Sequence, residues 1–295
     1  MLIFYKEFGQ VPMCIFETNH PQYELGEYIL SFEGKSLKNI NQECFCSKLC
    51  LSEDYLVCFN QTKKAIILSS VASNHSYDNK LIHLPITDIN LMNYYSENKK
   101  ISFLLYCQNK QIFIHEIQQA SFLKYPEIKE SLSHNLSENV NPSIVRVFEE
   151  ASMLILISES VICFYTLEEQ EESTKIELKK GNLYLREIPK FTQHRSTIIH
   201  AEVCRSNGLL VSLDSCRKIF IINLNGKIEV SQSFRLTKLS HCEEVKSMRI
   251  HQMCYIVILT TLNYIYVYSL MGDLIMGLNP SSISLLDKDE DIICI

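Results

Sequence analysis

Apolar and polar positions alternate along most of this chain, and the alternation comes in packets. A polar dip is followed by a short segment rich in β-branched and aromatic residues, and this packet returns six times. The copies are MCIFETN from Met13, AIILSS from Ala65, IFIHEI from Ile112, VICFYTL from Val161, IFIINLNG from Ile219 and IYVYSLMG from Ile265. The intervals between them are 52, 47, 49, 58 and 46 residues. Period-2 alternation over such lengths predicts half-buried strands.

A near-continuous apolar run precedes each packet across a short polar turn: Leu2–Lys6, Tyr55–Phe59, Ile101–Cys107, Met153–Ser158, Leu209–Leu213 and Tyr255–Thr261. Runs of this kind suit central strands buried on both faces. A strand-built repeat near 50 residues predicts an all-β propeller of four-stranded antiparallel blades, with these runs and packets as second and third strands. The connecting turns, Asn60-Gln61-Thr62-Lys63, Gln108-Asn109-Lys110, Asp214-Ser215-Cys216-Arg217 and Leu262-Asn263, carry residues that tolerate left-handed backbone. Asn225-Gly226-Lys227 and Met271-Gly272-Asp273 are hairpin signals leading to outer strands. First strands are expected at Cys44–Leu51, Ser143–Phe148, Ile198–Val203 and Val245–Ile250. No segment has sustained helical periodicity, although Glu127–Leu136 has the Glu and Lys spacing of a short helix.

The first repeat shows only three strands, Leu2–Lys6, Met13–Thr18 and Tyr28–Phe32, and one spare segment, Ile283–Ile295, follows the sixth. The expectation is a single domain over 1–295 with six blades, the C-terminal strand closing the ring in the N-terminal blade. The blades fall near 1–35 plus 283–295, 36–85, 86–130, 143–180, 197–235 and 243–280. Seven blades is the alternative if the chain is a piece of a longer one. The 58-residue interval places an insertion at Lys179–Ser196, and Tyr125–Pro142 and Gly34–Glu43 are further long connections.

Composition narrows the picture. The chain has no Trp and eight Gly in 295 residues, well below the roughly 7% Gly of average proteins. A net charge of −6 argues against a general nucleic-acid binder, which needs a cationic footprint. MLIFYKEFGQVPM lacks the layout of a secretory signal, and the longest apolar run, Cys254–Leu262, is too short for a bilayer. The expected setting is intracellular, cytoplasmic or nuclear, without membrane insertion. The twelve cysteines then read as reduced thiols, and the sequons at Asn60, Asn74 and Asn135 as chance.

The repeat length, strand order and closure resemble the WD40-like β-propeller superfamily over essentially the whole chain. The usual Gly-His pair and Trp-Asp pair are absent, and third strands end in Thr166-Leu167, Asn223-Leu224 and Ser269-Leu270. The resemblance therefore implies a divergent propeller of the kind found in subunits of large assemblies, with apolar packing in place of the standard polar network.

Candidate chemistry is sparse. Cys44-x-Cys46-x3-Cys50 reads as core thiols, with zinc or redox as the alternative, because no second ligand pair follows at finger-like spacing. His115-Glu116 lacks the second His of a metalloprotease motif, since position 119 is Gln119. His200, His241 and His251 fall near first strands and would form a central ligand site only if they converged. Nucleotide-loop and nucleophile-elbow signatures do not occur. Glu168–Glu172 reads as a solvated acidic hairpin or a dock for a basic partner.

Lys179, Lys180, Arg186, Lys190 and Arg195, interleaved with Tyr184 and Phe191, form the one basic and aromatic cluster. Arg and Tyr favour protein interfaces, while cations with aromatics also grip phosphate and stack on bases. The expected function is a non-catalytic protein–protein interaction scaffold, binding other protein subunits and needing no cofactor or metal. A nucleic-acid-associated factor using residues 179–196 is the first alternative, and an enzyme or small-ligand binder at the central channel the second.

Overall fold

The computed structural model describes residues 3–8, 11–16, 29–32, 35–38, 46–51, 55–60, 65–70, 76–79, 86–96, 99–108, 110–119, 126–136, 140–169, 183–251 and 254–279. Among them the regular structure is all strand apart from two single 3-10 turns, Glu149–Ala151 and Arg205–Asn207. Two hairpins come first, β1 (Ile3–Phe8) with β2 (Val11–Phe16) and β3 (Ile29–Phe32) with β4 (Lys35–Lys38). Strand β4 lies where the sequence suggested only a connection.

Five four-stranded antiparallel sheets follow among the described residues, each made of four consecutive strands. They are β5 (Cys46–Leu51), β6 (Tyr55–Asn60), β7 (Ala65–Ser70) and β8 (Ser76–Asn79); then β9 (Asp88–Ser96), β10 (Lys99–Gln108), β11 (Gln111–Gln119) and β12 (Pro126–Asn135). Next come β13 (Ile144–Phe148), β14 (Met153–Ser158), β15 (Val161–Glu169) and β16 (Leu183–Phe191). The last two sheets are β17 (Ile198–Cys204), β18 (Leu209–Asp214), β19 (Lys218–Asn223) and β20 (Glu229–Arg235), then β21 (Val245–Ile250), β22 (Ile256–Thr260), β23 (Ile265–Tyr268) and β24 (Leu274–Leu278).

Three expectations are corrected. Glu127–Leu136 is not a helix: its residues make β12 up to Asn135, pairing with β11. Most of the Tyr125–Pro142 connection is therefore sheet. Within the Lys179–Ser196 insertion, Leu183–Phe191 is strand rather than connection, pairing with β15 as the outer strand of its sheet. Ile283–Ile295, on which ring closure rests, lies outside the described residues, as do Cys44 and Gln170–Glu172.

The chain divides into two compact units, one of Met1–Cys46, Val71–Ser76 and Ile199–Ile295, the other of Ser47–Ser70 and Tyr77–Ile198. In the second unit β10 shows why its apolar run is continuous. Phe103, Leu105 and Cys107 join a core with Val145, Val147, Leu154, Leu156, Cys163 and Tyr165 of the following sheet. Leu104 and Tyr106, pointing the other way, join Tyr55 and Val57 of the preceding one. Successive side chains leave opposite faces of a strand, so a strand between two sheets needs apolar residues at every position. Each fully buried Leu, Ile or Phe contributes about 2 kcal/mol. In the first unit β18, β19, β22 and β23 build the equivalent core from Val211, Leu213, Ile219, Ile221, Ile256, Ile258 and Tyr268.

The hairpins joining second and third strands place Lys110, Glu159, Arg217 and Asn263 at φ of 61°, 52°, 63° and 60°. Only Asn263 is of the type the sequence pointed to. Asp214 serves its turn differently, its Oδ1 accepting from Lys218 N at 2.9 Å and its carbonyl from Arg217 N at 2.9 Å.

Candidate functional site

The basic and aromatic cluster is spread along β16 and the turn after it. Lys179 and Lys180 lie outside the described residues. Register pairs Tyr184 with Glu168 and Arg186 with Thr166, so these four side chains share one face of the β15–β16 ladder. The Tyr184 hydroxyl donates to Glu168 Oε2 at 2.5 Å, and Arg186 Nη2 meets Oε1 at 2.7 Å. Thr166 Oγ1 also donates to Glu168 Oε1, at 3.1 Å. These contacts, the Tyr184 hydrogen bond first, hold the Glu168 carboxyl below its ordinary value and push the Tyr184 phenol up. Glu168 is thus a strand residue of the β15–β16 hairpin, gripped from across the ladder.

The other members are dispersed. Lys190 Nζ pairs with Glu187 at 3.1 Å. Phe191 is buried and meets the buried His194 edge-on, their centroids 6.0 Å apart. Arg195 is exposed in the turn before β17. Tyr184 and Arg186 are brought together, then, while Lys190 and Phe191 have separate local roles.

First strands of consecutive sheets carry polar contacts. In one unit, Asp88 Oδ2 on β9 accepts from Val145 N at 2.8 Å and Arg146 Nη1 at 3.2 Å on β13, and Asn90 Nδ2 donates to Val145 O at 3.1 Å. In the other, Arg249 on β21 pairs with Glu202 on β17, and His200 Nε2 contacts Val245 O at 3.3 Å. His241 and His251 are exposed, the latter facing the Tyr255 ring. The three histidines do not form a ligand set, and no group of three or more His, Cys, Asp or Glu among the described residues is placed to hold a metal. His115 sits buried on β11, its Nε2 3.0 Å from the Tyr106 hydroxyl. Cys46 and Cys50 lie on β5.

A further set of polar residues went unnoticed in the sequence. Three second strands, β14, β18 and β22, end in a buried polar side chain: Ser158, Asp214 and Thr260. Ser158 Oγ accepts from Asn141 N at 2.9 Å. Thr260 Oγ1 donates to Glu243 Oε1 at 3.0 Å and accepts from Tyr264 N at 3.2 Å. Glu243, only 2% exposed, also accepts from Ser240 N at 2.8 Å and lies 3.4 Å from the Tyr266 hydroxyl. Arg217 straps the same connection, donating to the carbonyls of Leu239 at 3.0 Å, Ser240 at 2.9 Å and Glu243 at 2.7 Å. The signal available in the sequence was the single polar residue closing each apolar run.

No family model matches the chain, and no curated protein matches it. Among solved structures it is similar to the β-propeller domain of Myceliophteria thermophila Cps50 (Swd1), with a TM-score of 0.54 at 12% identity over 79% of this chain and 73% of that one. It is also similar to Sqt1 from Chaetomium thermophilum, with a TM-score of 0.53 at 7% identity, over 79% of this chain but only 61% of that one. The fold is that of a β-propeller. At these identities the likeness carries the fold alone.

In propeller terms each four-stranded sheet is a blade. Ser158 and Thr260, which end second strands, tie down the connection entering their blades, while Asp214 holds its own turn, so polar contacts stand beside the apolar packing that the resemblance implied. Among the described residues, exposed large apolar side chains stand on the first strands β9 (Tyr95) and β17 (Ile199), in turns (Leu262, Met271) and on the outer strands β16 (Tyr184) and β24. On β24 Leu274, Ile275 and Met276 are 38%, 54% and 43% exposed, beside Met271 in the preceding turn. Among the described residues no helix is long and apolar enough to cross a membrane.

Proposed function

We propose that this chain is a non-catalytic protein–protein interaction scaffold, a WD40-like propeller subunit of a larger intracellular complex. The observation that carries the reading is the outer strand β24, which holds three consecutive large apolar side chains in solvent on a hydrogen-bonded blade. Isolated exposed apolar residues are ordinary, but a contiguous run on a rigid element suits association with another protein. The finer architecture belongs to the same proposal: about six blades over residues 1–295, with Ile283–Ile295 pairing in the N-terminal blade. Of the basic and aromatic cluster, Tyr184, Arg186 and Arg195 remain available as a secondary contact, whereas Phe191 serves the blade's own packing. Arg186 and Lys190 are already neutralised by Glu168 and Glu187, so the observations favour a protein over a nucleic acid as partner.

The test is affinity capture of the full chain from its native cells, with Ile275→Glu and Arg195→Glu variants alongside. The expected result is a stoichiometric protein partner that the Ile275→Glu variant loses while retaining its fold by circular dichroism. Recovery of the chain alone, or with nucleic acid in a salt-sensitive manner, overturns the reading.

A further inference from the structure

Cys204 and Cys254 are 50 residues apart in sequence, one repeat, and their sulfurs lie 3.3 Å apart. Cys204 is buried at the end of β17, where the chain enters the 3-10 turn Arg205–Asn207. That turn is closed by Gly208 at φ 58° and braced by Asn225, whose Nδ2 donates to Asn207 O at 3.2 Å. Cys254 occupies the connection between β21 and β22, is partly exposed, and holds a left-handed φ of 62°. Its amide donates to His251 O at 2.8 Å, and His251 N donates to Tyr255 O at 2.8 Å. Ser206 Oγ lies 3.4 Å from the Cys204 sulfur and 3.9 Å from the Cys254 sulfur. Two hydrogen-bonded turns of consecutive blades thus aim two thiols at each other beside a hydroxyl.

We propose that Cys204 and Cys254 form a reversible thiol–disulfide couple that staples the fifth-repeat blade to the sixth. A disulfide bond is about 2.05 Å long, so closure asks the sulfurs to approach by about 1.3 Å, within the reach of side-chain rotation. The oxidant is a peroxide. Cys254 is the more accessible thiol and reacts first. Its sulfur bonds to one peroxide oxygen, the O–O bond breaks, and water leaves with the thiol proton, giving a sulfenic acid. The Cys204 sulfur then attacks the Cys254 sulfur. The S–S bond forms, the S–O bond breaks, and the second thiol proton leaves with the hydroxyl as water. Two thiols and one hydrogen peroxide yield one disulfide and two waters, a two-electron oxidation that a dithiol reductant reverses. Oxidation would cross-link the end of the first strand β17 to the connection that follows the next first strand, β21; the Arg249–Glu202 pair and the His200 contact also join these two strands.

The experiment uses the full reduced chain, hydrogen peroxide, alkylation of remaining thiols and peptide mass mapping without reductant. Exposed Cys216 and Cys242 report that the oxidant has acted. The expected result is a Cys204–Cys254 cross-linked peptide lighter by two hydrogens, dominant over every other pairing and abolished by dithiothreitol. Thermal unfolding of the oxidised chain should shift upward by several degrees relative to the reduced chain. Cys254→Ser should abolish both effects. Recovery of Cys204 and Cys254 as separate alkylated or singly oxidised residues, under conditions that modify Cys216 and Cys242, overturns the proposal. So does a cross-link distributed evenly among other cysteines. The wild-type mapping decides the question even if the variant fails to fold.

Discussion

Replacing Glu243 by Ala removes a carboxylate that three donors surround inside one blade. Ser240 N at 2.8 Å and Thr260 Oγ1 at 3.0 Å are well-placed donors, while the Tyr266 hydroxyl at 3.4 Å is a marginal one. Hydrogen bonds to a charged group contribute roughly 1.5–3 kcal/mol each, and a buried donor left unmet costs about 1–3 kcal/mol. Water entering the space left by the side chain offsets part of this. Two good bonds then put the expected loss for Glu243→Ala at about 3–4 kcal/mol. Glu243→Gln keeps one acceptor oxygen but turns the other position into a donor facing a donor, so about 2 kcal/mol is expected. The assay is urea unfolding of the full chain, comparing midpoints at unchanged slope. A double-mutant cycle with Thr260→Val isolates the side-chain contact, with a coupling of about 1 kcal/mol or more expected. If Glu243→Ala costs under about 1 kcal/mol, or if the two changes simply add, the connection is not held by this carboxylate and the reasoning fails.

Other expectations follow from single sites. The Tyr268 hydroxyl is buried without a hydrogen-bond partner among the described residues, and burial holds its phenol up to about 12. Tyr268→Phe should therefore be neutral or stabilising by up to about 1 kcal/mol, and a clear loss in urea unfolding would contradict that. A Cβ on Gly272, at φ 91°, would meet the Phe234 ring at 2.7 Å, whereas Gly226, at φ 74°, has nothing within 4 Å. Gly272→Ala should cost about 2 kcal/mol and Gly226→Asn under about 0.5, measured in the same assay. The Glu168 carboxyl is depressed in the folded chain, so its contribution is present above the ordinary carboxylate value and lost as pH falls through the lower folded value. NMR titration should place Glu168 below ordinary Glu residues, and Tyr184→Phe should raise it; an unmoved midpoint would remove the hydrogen bond as the main cause.

Second and third strands were legible because period 2 and blade packing act on the same residues. Phe103 and Leu104 must both be apolar when sheets lie against both faces of β10. The outer strands β20 and β24 were announced by their Gly turns, whereas β12 and β16 escaped for the opposite reason. β12 and β16 lie at the ends of their sheets and pair along one edge only, so they need no continuous apolar run, and the spacing in Glu127–Leu136 mimics a helix. The first strand β9 was also passed over, since Asp88, Asn90 and Asn93 interrupt its alternation. Each of those residues has a partner on the next sheet or the next strand.

By itself the sequence determined that the chain is a strand repeat near 50 residues, because strand periodicity is a local property that burial writes into every few positions. The tertiary structure alone decided which polar and reactive groups meet. Glu168 reaches Tyr184 and Arg186 through the β15–β16 register. Glu243, just before β21, reaches Thr260 at the end of the adjacent strand β22 of the same blade, and Cys204 reaches Cys254 from one blade to the next. Cross-strand and cross-sheet neighbours are set by register, bulges and the stacking of sheets, none of which leaves a mark in the spacing of residues along the chain.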